Sequence, residues 1–156
     1  MPSKYEAARA SVAPLTPDQL NAFLAEPRNA ILATTNKNGT PQCTPVGFYW
    51  DGEAFYISTF KETVKYKNIK RDPRISLTVD EDEHFYPNLK TSRSVTAKGR
   101  AELREEDIWE LTAKIMEKSF SPDEVPATLA KLKQENRVLI VLKPEQLHSW
   151  RMGSEV

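Results

Sequence analysis

The chain reads as a mainly β domain of the α+β class, a small antiparallel β-barrel with peripheral helices. Three observations predict this. Two hairpin signals, Asn38-Gly39 and Asp51-Gly52, stand between runs of strand-forming residues. Apolar and polar residues alternate with a period of two over residues 75–80 and again over 95–103. An unbroken apolar run, Arg137–Leu142, suits a strand covered on both faces. A sheet this rich in hairpins can remove its edges by closing into a barrel.

Residues 1–14 read as a flexible lead, and residues 15–156 as one domain. Thr16-Pro17-Asp18-Gln19 starts a helix: Thr16 caps, Pro17 suits the first helical position and Gln19 completes a capping box. Leu20, Phe23 and Leu24 give it one apolar face, and Pro27 ends it. Residues 30–35 form a short apolar strand. Asn38-Gly39 then predicts a type I′ turn, which needs positive φ at both central positions. The next strand covers residues 42–50, and Asp51-Gly52 turns it into residues 55–59. Residues 62–70 form a helix that stops at Asp72-Pro73. Residues 80–90 are a polar, acidic loop containing His84 and Pro87. Residues 104–120 are helical, with Ile108, Leu111 and Ile115 on one stripe and Trp109 and Met116 broadening it. Ser121-Pro122-Asp123 opens a further short helix, and residues 147–152 form the last strand. The total is six or seven strands, mostly antiparallel.

Composition narrows the function. A chain of 156 residues predicts a single domain. Its apolar fraction of 39%, with six Phe, five Tyr and three Trp, is enough for a core. Formal net charge is zero, which argues against a general polyanion binder, so no nucleic-acid partner is expected. The lone Cys43 excludes an internal disulfide framework and a Cys-rich zinc site. His84 and His148 lack ligand spacing, so no metal is expected. No apolar run approaches the ~18 residues of a membrane span. The first ten residues lack the apolar core of a signal peptide. A soluble cytoplasmic protein without membrane partners is the expectation.

The basic segment carries the chemistry. Lys61, Lys65, Lys67, Lys70, Arg71 and Arg74 place six cations in fourteen residues. At four apart, Lys61 and Lys65 are expected to share a helix face. Ser58 and Thr59 offer hydroxyls just before that helix, whose N-terminal N–H groups and dipole favour an anion. Such a set suits a phosphate monoester, and equally a solvated basic face. Thr44-Pro45-Val46 marks an edge or a bulge, because proline cannot donate to a ladder. Trp150 could stack on a planar ligand and Arg151 could pair with an anion, or both could pack against the core or a second copy. Cys43 has no neighbouring cation to activate it and reads as packed. The glycines form turns rather than a phosphate loop, and no hydrolase constellation of Ser, His and Asp appears.

The series ILATTNKNGTPQCTPVGFYWDG, FYISTFKETVKYKNIKRDPRISLTVD and SVTAKGRAEL resembles the pyridoxamine 5′-phosphate oxidase-like flavin-binding split barrels. The pattern is most similar to their branch of short FMN- or F420-dependent proteins. The ending RVLIVLKPEQLHSW is also similar, and Lys65-x-x-Asn68-Ile69-x-x-Asp72-Pro73-Arg74 is the most specific part. The resemblance spans roughly residues 16–151. It implies a six-stranded split β-barrel and a homodimer with cofactor sites at the interface. It implies an oxidoreductase that moves a hydride between bound FMN, or alternatively F420, and a small-molecule substrate. Family members that bind FAD, haem or biliverdin leave a non-catalytic flavin or tetrapyrrole carrier as the other class. By the same resemblance, Lys65 contacts the cofactor phosphate, Ser58 and Thr59 hydrogen-bond it, and Lys61 supports them. Thr44, Pro45 and Val46 meet the polar edge of the ring, and Trp150 and Arg151 approach the cofactor of either protomer. No residue is assigned as catalytic.

Overall fold

The computed structural model describes residues 12–81 and 92–152. The acidic loop with His84 and Pro87 therefore lies almost wholly outside the described residues. In chain order the elements are α1 (Pro17–Ala25), β1 (Asn29–Thr35), β2 (Pro41–Gly47), β3 (Tyr49–Trp50), β4 (Phe55–Phe60), α2 (Val64–Arg71) and β5 (Arg74–Asp80). They continue with β6 (Ser92–Arg104), α3 (Trp109–Glu117), α4 (Glu124–Leu132), β7 (Arg137–Leu142) and β8 (Gln146–Met152).

Every strand pairing is antiparallel, and the strand order is β2-β1-β5-β6-β7-β4-β3, with β8 also on β6. The two ends of this path are consecutive in the chain: β2 and β3 are separated by Phe48 alone. The sheet thus curls until its ends meet through one covalent step, a barrel that is split rather than fully laddered. The run expected as one strand over residues 42–50 breaks at Phe48 because its halves take different partners, β2 pairing with β1 and β3 with β4. This break gives eight strands among the described residues rather than six or seven.

The Lys143–Glu145 step between β7 and β8 has a visible cause. Ala101 faces Leu142 and Lys98 faces Gln146, so three residues on one side oppose two on the other, a one-residue bulge. Gly99 sits under it. A Cβ there would lie 3.1 Å from Leu142 Cδ1 and 3.2 Å from both Glu145 N and Lys143 O, tighter than ordinary contact, so glycine lets β6 pass close beneath the bend.

The core fills the barrel. Phe48 and Phe55 meet at 5.7 Å between ring centres, and Ile57, Leu77, Val79, Val95, Ala97, Ile140 and Leu142 pack around them. Leu20, Phe23 and Leu24 of α1 close one end, as the helix pattern predicts. The capping box is formed: Gln19 N donates to Thr16 Oγ1 at 3.2 Å, and Thr16 N donates to Gln19 Oε1 at 3.0 Å. β7 is buried from Val138 to Leu142 because its second face, Leu139 and Val141, lies under α3 beside Ile108.

Three local expectations are corrected. Positive φ occurs at Gly39 and not at Asn38, so the first turn is not type I′. Gly39 N donates to Asn36 O at 2.9 Å and Asn36 N to Thr40 O at 2.8 Å, the three-residue hairpin with glycine in the left-handed position. The helix expected over residues 104–120 shortens to Trp109–Glu117, because Arg104 still pairs with Leu139 as the end of β6 and Asp107 turns the chain at φ 52°. Cys43 is exposed on β2 rather than packed.

Candidate functional site

The segment joining β4 to α2 is organised by hydroxyls. Thr63 caps α2: its Oγ1 donates to Phe60 O at 2.8 Å and accepts from Tyr66 N at 3.4 Å. Thr59, buried at the end of β4, shares a hydrogen bond with the Thr63 hydroxyl at 3.3 Å. The helix therefore starts at Val64, two residues later than the sequence predicts, because Thr63 is a better cap than Lys61. The first-turn N–H groups of α2 lack intrahelical acceptors and face the same end as these hydroxyls.

This start separates the two lysines. Lys61 precedes the helix and cannot share a face with Lys65. It pairs with Glu105 at 2.7 Å, which raises its pKa through that hydrogen bond. Lys65 stands on the first turn, half-buried, with no carboxylate paired to it among the described residues. Burial alone pushes its pKa down. An ammonium that is partly desolvated and unpaired is incompletely satisfied, and an anion placed there would gain more than one placed beside Lys61.

The rest of the basic segment is largely structural. Asn68 is 3% exposed; its Nδ2 donates to Thr34 Oγ1 and Asn36 Oδ1, both at 3.0 Å. Arg71 Nη2 donates to Asn68 Oδ1 at 2.9 Å and Thr35 O at 2.6 Å. Together they tie α2 to the end of β1. Arg74 pairs with Asp72 at 2.7 Å and, by that hydrogen bond, holds the carboxyl at about 2. Lys67 and Lys70 are exposed.

Sequence reasoning missed Arg137. Its Nη1 donates to Ser58 Oγ at 3.1 Å, its guanidinium lies 4.2 Å over the Phe60 ring, and its Nε donates to Glu135 at 2.8 Å. The signal available was a cation at the head of an apolar strand. Its partner was hidden, because the β4–β7 register that sets Phe60 opposite Arg137 is a long-range pairing. Phe60 and Val64, at the end of β4 and the start of α2, are 37% and 54% exposed and leave apolar surface on this segment.

The other candidates lie elsewhere on the barrel. Thr44, Pro45 and Val46 are on β2, which among the described residues pairs with β1 alone and is there an edge strand, as Pro45 predicts. Val46 points into the core while Pro45 is exposed. Trp150 and Arg151 are half-buried on β8. Arg151 exchanges backbone bonds with Ala13, at 2.7 and 3.0 Å. Trp150 faces Ser94 on β6, whereas Ser58 lines up through Leu139 with Arg104 at the other end of that strand. Ten residues of β6 separate those positions, a contour of at most roughly 33 Å along the curved strand. Within one copy, Trp150 and Arg151 pair near the start of β6, away from the end with which Ser58 lines up.

A cavity of about 530 Å³ opens between α1, the β3–β4 turn and the β7–β8 bend, lined by Leu20, Asn21, Trp50 and Leu147 among others. A second, of about 420 Å³, lies between α1, β3 and α3. None of the candidate cofactor-binding residues named from the sequence lines either one. Among the described residues no group of three or more His, Cys, Asp or Glu could hold a metal ion, and no helix is long and apolar enough to cross a membrane.

Residues 16–151 match the family model for pyridoxamine 5′-phosphate oxidase. Among solved structures, a conserved hypothetical protein from Mycobacterium tuberculosis is 24% identical with a TM-score of 0.76, over 91% of this chain and 88% of that one. An F420 reductase is 27% identical with a TM-score of 0.64, over 81% of this chain and 94% of that one. A haem storage protein from Vibrio cholerae is 24% identical with a TM-score of 0.65, over 86% and 94%.

Proposed function

The chain belongs to the pyridoxamine 5′-phosphate oxidase family, and from that premise we propose that it is an oxidoreductase transferring a hydride between bound FMN, with F420 as the alternative, and a small molecule. One observation carries the reading: the half-buried Lys65 ammonium, without a carboxylate partner among the described residues, beside hydroxyls and a helix N-terminus. That donor set fits a phosphate group. Phe60 and Val64 add exposed apolar surface that a flat ring system would cover.

Lys65 would hold the phosphate as a point charge, with the first-turn N–H groups of α2 fixing its orientation and the Thr59 hydroxyl turning from Thr63 to donate to it. Ser58, held by Arg137, would border it. Lys61, already paired with Glu105, would contribute long-range field rather than a direct bond. The cofactor would supply the hydride chemistry, and the protein its orientation and shielding from water. The Thr44-Pro45-Val46 edge, with backbone groups not used by a second strand, would face the polar rim of the ring. A second copy would bring its Trp150 and Arg151 to this cradle, and the homodimer belongs to this proposal.

Absorption of the purified protein, before and after addition of FMN or F420, tests it. Flavin bands at ~450 nm or the F420 band at ~420 nm, retained through gel filtration, are the expected result. A Soret band together with failure to retain either cofactor would replace this reading with a tetrapyrrole carrier.

A further inference from the structure

The turn that leads into β7 braces the connection between β4 and α2. Lys61 N donates to Asn136 O at 3.1 Å, and Asn136 Nδ2 donates to Glu62 Oε1 at 3.4 Å. One residue on, Arg137 is held on three sides. Its Nε donates to Glu135 Oε2 at 2.8 Å, its guanidinium lies 4.2 Å from the centre of the Phe60 ring, and its Nη1 donates to Ser58 Oγ at 3.1 Å. The Glu135 carboxylate matches its charge, so Arg137 offers an anion little net attraction of its own.

The contact acts on Ser58. A serine hydroxyl has two acceptor lone pairs and one proton to donate. With a guanidinium N–H on one lone pair, that proton points away from Arg137. Among the described residues no acceptor takes it. Ser58 shares its face of β4 with Phe60, two residues on. Its proton is therefore offered on the side where Phe60 leaves apolar surface. The bond from Arg137 also polarises the hydroxyl, which strengthens it as a donor.

We propose that Arg137 is a positioning residue of the cofactor site: it commits the Ser58 hydroxyl as a donor to an oxygen of the bound cofactor. The inference rests on the flavin or deazaflavin reading above. The accepting oxygen belongs to the phosphate or to the sugar-alcohol chain that joins phosphate to ring.

Fluorescence titration of the intact protein and its variants tests this. The probes are the retained cofactor, FMN or F420, and its phosphate-free counterpart, riboflavin or deazariboflavin. Ser58→Ala should weaken cofactor binding about fivefold, the worth of one hydrogen bond. Arg137→Met keeps an apolar chain over Phe60 but donates nothing, and should weaken binding about threefold. The double variant should bind no more weakly than Ser58→Ala alone, because Arg137 acts through that hydroxyl. A residue that only braced the turn would lower affinity equally with or without the hydroxyl. Independent, additive losses therefore overturn the proposal, as does a Ser58→Ala affinity equal to wild type. Losses confined to the phosphorylated probe assign the phosphate as acceptor; losses shared by both probes assign the sugar-alcohol chain. If Lys65→Ala weakens binding while Ser58→Ala and Arg137→Met do not, the cofactor reading stands and this inference alone fails. Wild-type protein that binds neither FMN nor F420 removes both.

Discussion

Two lysines four positions apart in one basic segment differ because one finds a carboxylate and the other does not. Lys61 is matched by Glu105, whereas Lys65 carries an unmet charge. Lys65→Ala should therefore weaken FMN or F420 binding by about 1.5–3 kcal/mol, the worth of one charge-assisted hydrogen bond. Titration by fluorescence or absorption reads it, with the exposed Lys98→Ala as control; equal affinities would remove Lys65 from the site. A second expectation concerns Lys118. Above about pH 8 the folded chain releases its proton, while the unfolded chain holds it until near 10.5. Across that window the unfolded state binds more protons, so stability contributed by this residue rises with pH. The difference in urea midpoint between wild type and Lys118→Met should shift in favour of wild type between pH 7.5 and 10. A pH-independent difference would mean that burial does not depress this lysine.

At the scale of elements, the bend between β7 and β8 fixes where the sheet turns, and Gly99 permits it. Gly99→Val would drive side-chain atoms into the Lys143–Glu145 backbone, which cannot withdraw as a flexible side chain could. Thermal unfolding should register a loss of about 1–3 kcal/mol, the range for overpacking; an unchanged Tm would show that the bend moves freely. The elements differ in how legible they were. α1 was readable in full, because its cap, its first-turn proline and its apolar face are all local. β7 was readable because Arg137–Leu142 has no polar face to alternate. The start of α2 was misplaced, since choosing Thr63 over Lys61 as the boundary depends on the Thr59 hydroxyl reaching it. Arg137 beside Ser58 was invisible for a related reason: the register that joins them spans 79 residues of sequence. The break at Phe48 was hidden too, because a change of partner leaves no mark on the period of the strand.

For the whole molecule, the decisive feature is that Trp150 and Ser58 line up with opposite ends of β6. If Trp150 and Arg151 serve the cradle built on Ser58, Thr59 and Lys65, a second copy is the source we propose. The protein should then sediment as a homodimer with an interface of about 2,000 Å² or more. Mixed dimers separate this arrangement from one in which each copy is self-sufficient. Combine a Lys65→Ala chain with a Trp150→Ala chain carrying a different purification tag, and isolate the dimer that holds both. With the terminal strand acting across the interface, both defects fall on one site and the other site is intact. Half of the wild-type cofactor capacity should then return at wild-type affinity, although each parent homodimer binds weakly. If the strand acted within its own chain, each site would carry one defect and no tight sites would appear. A stable monomer that binds FMN or F420 tightly would contradict the shared site at an earlier step, before any mixing.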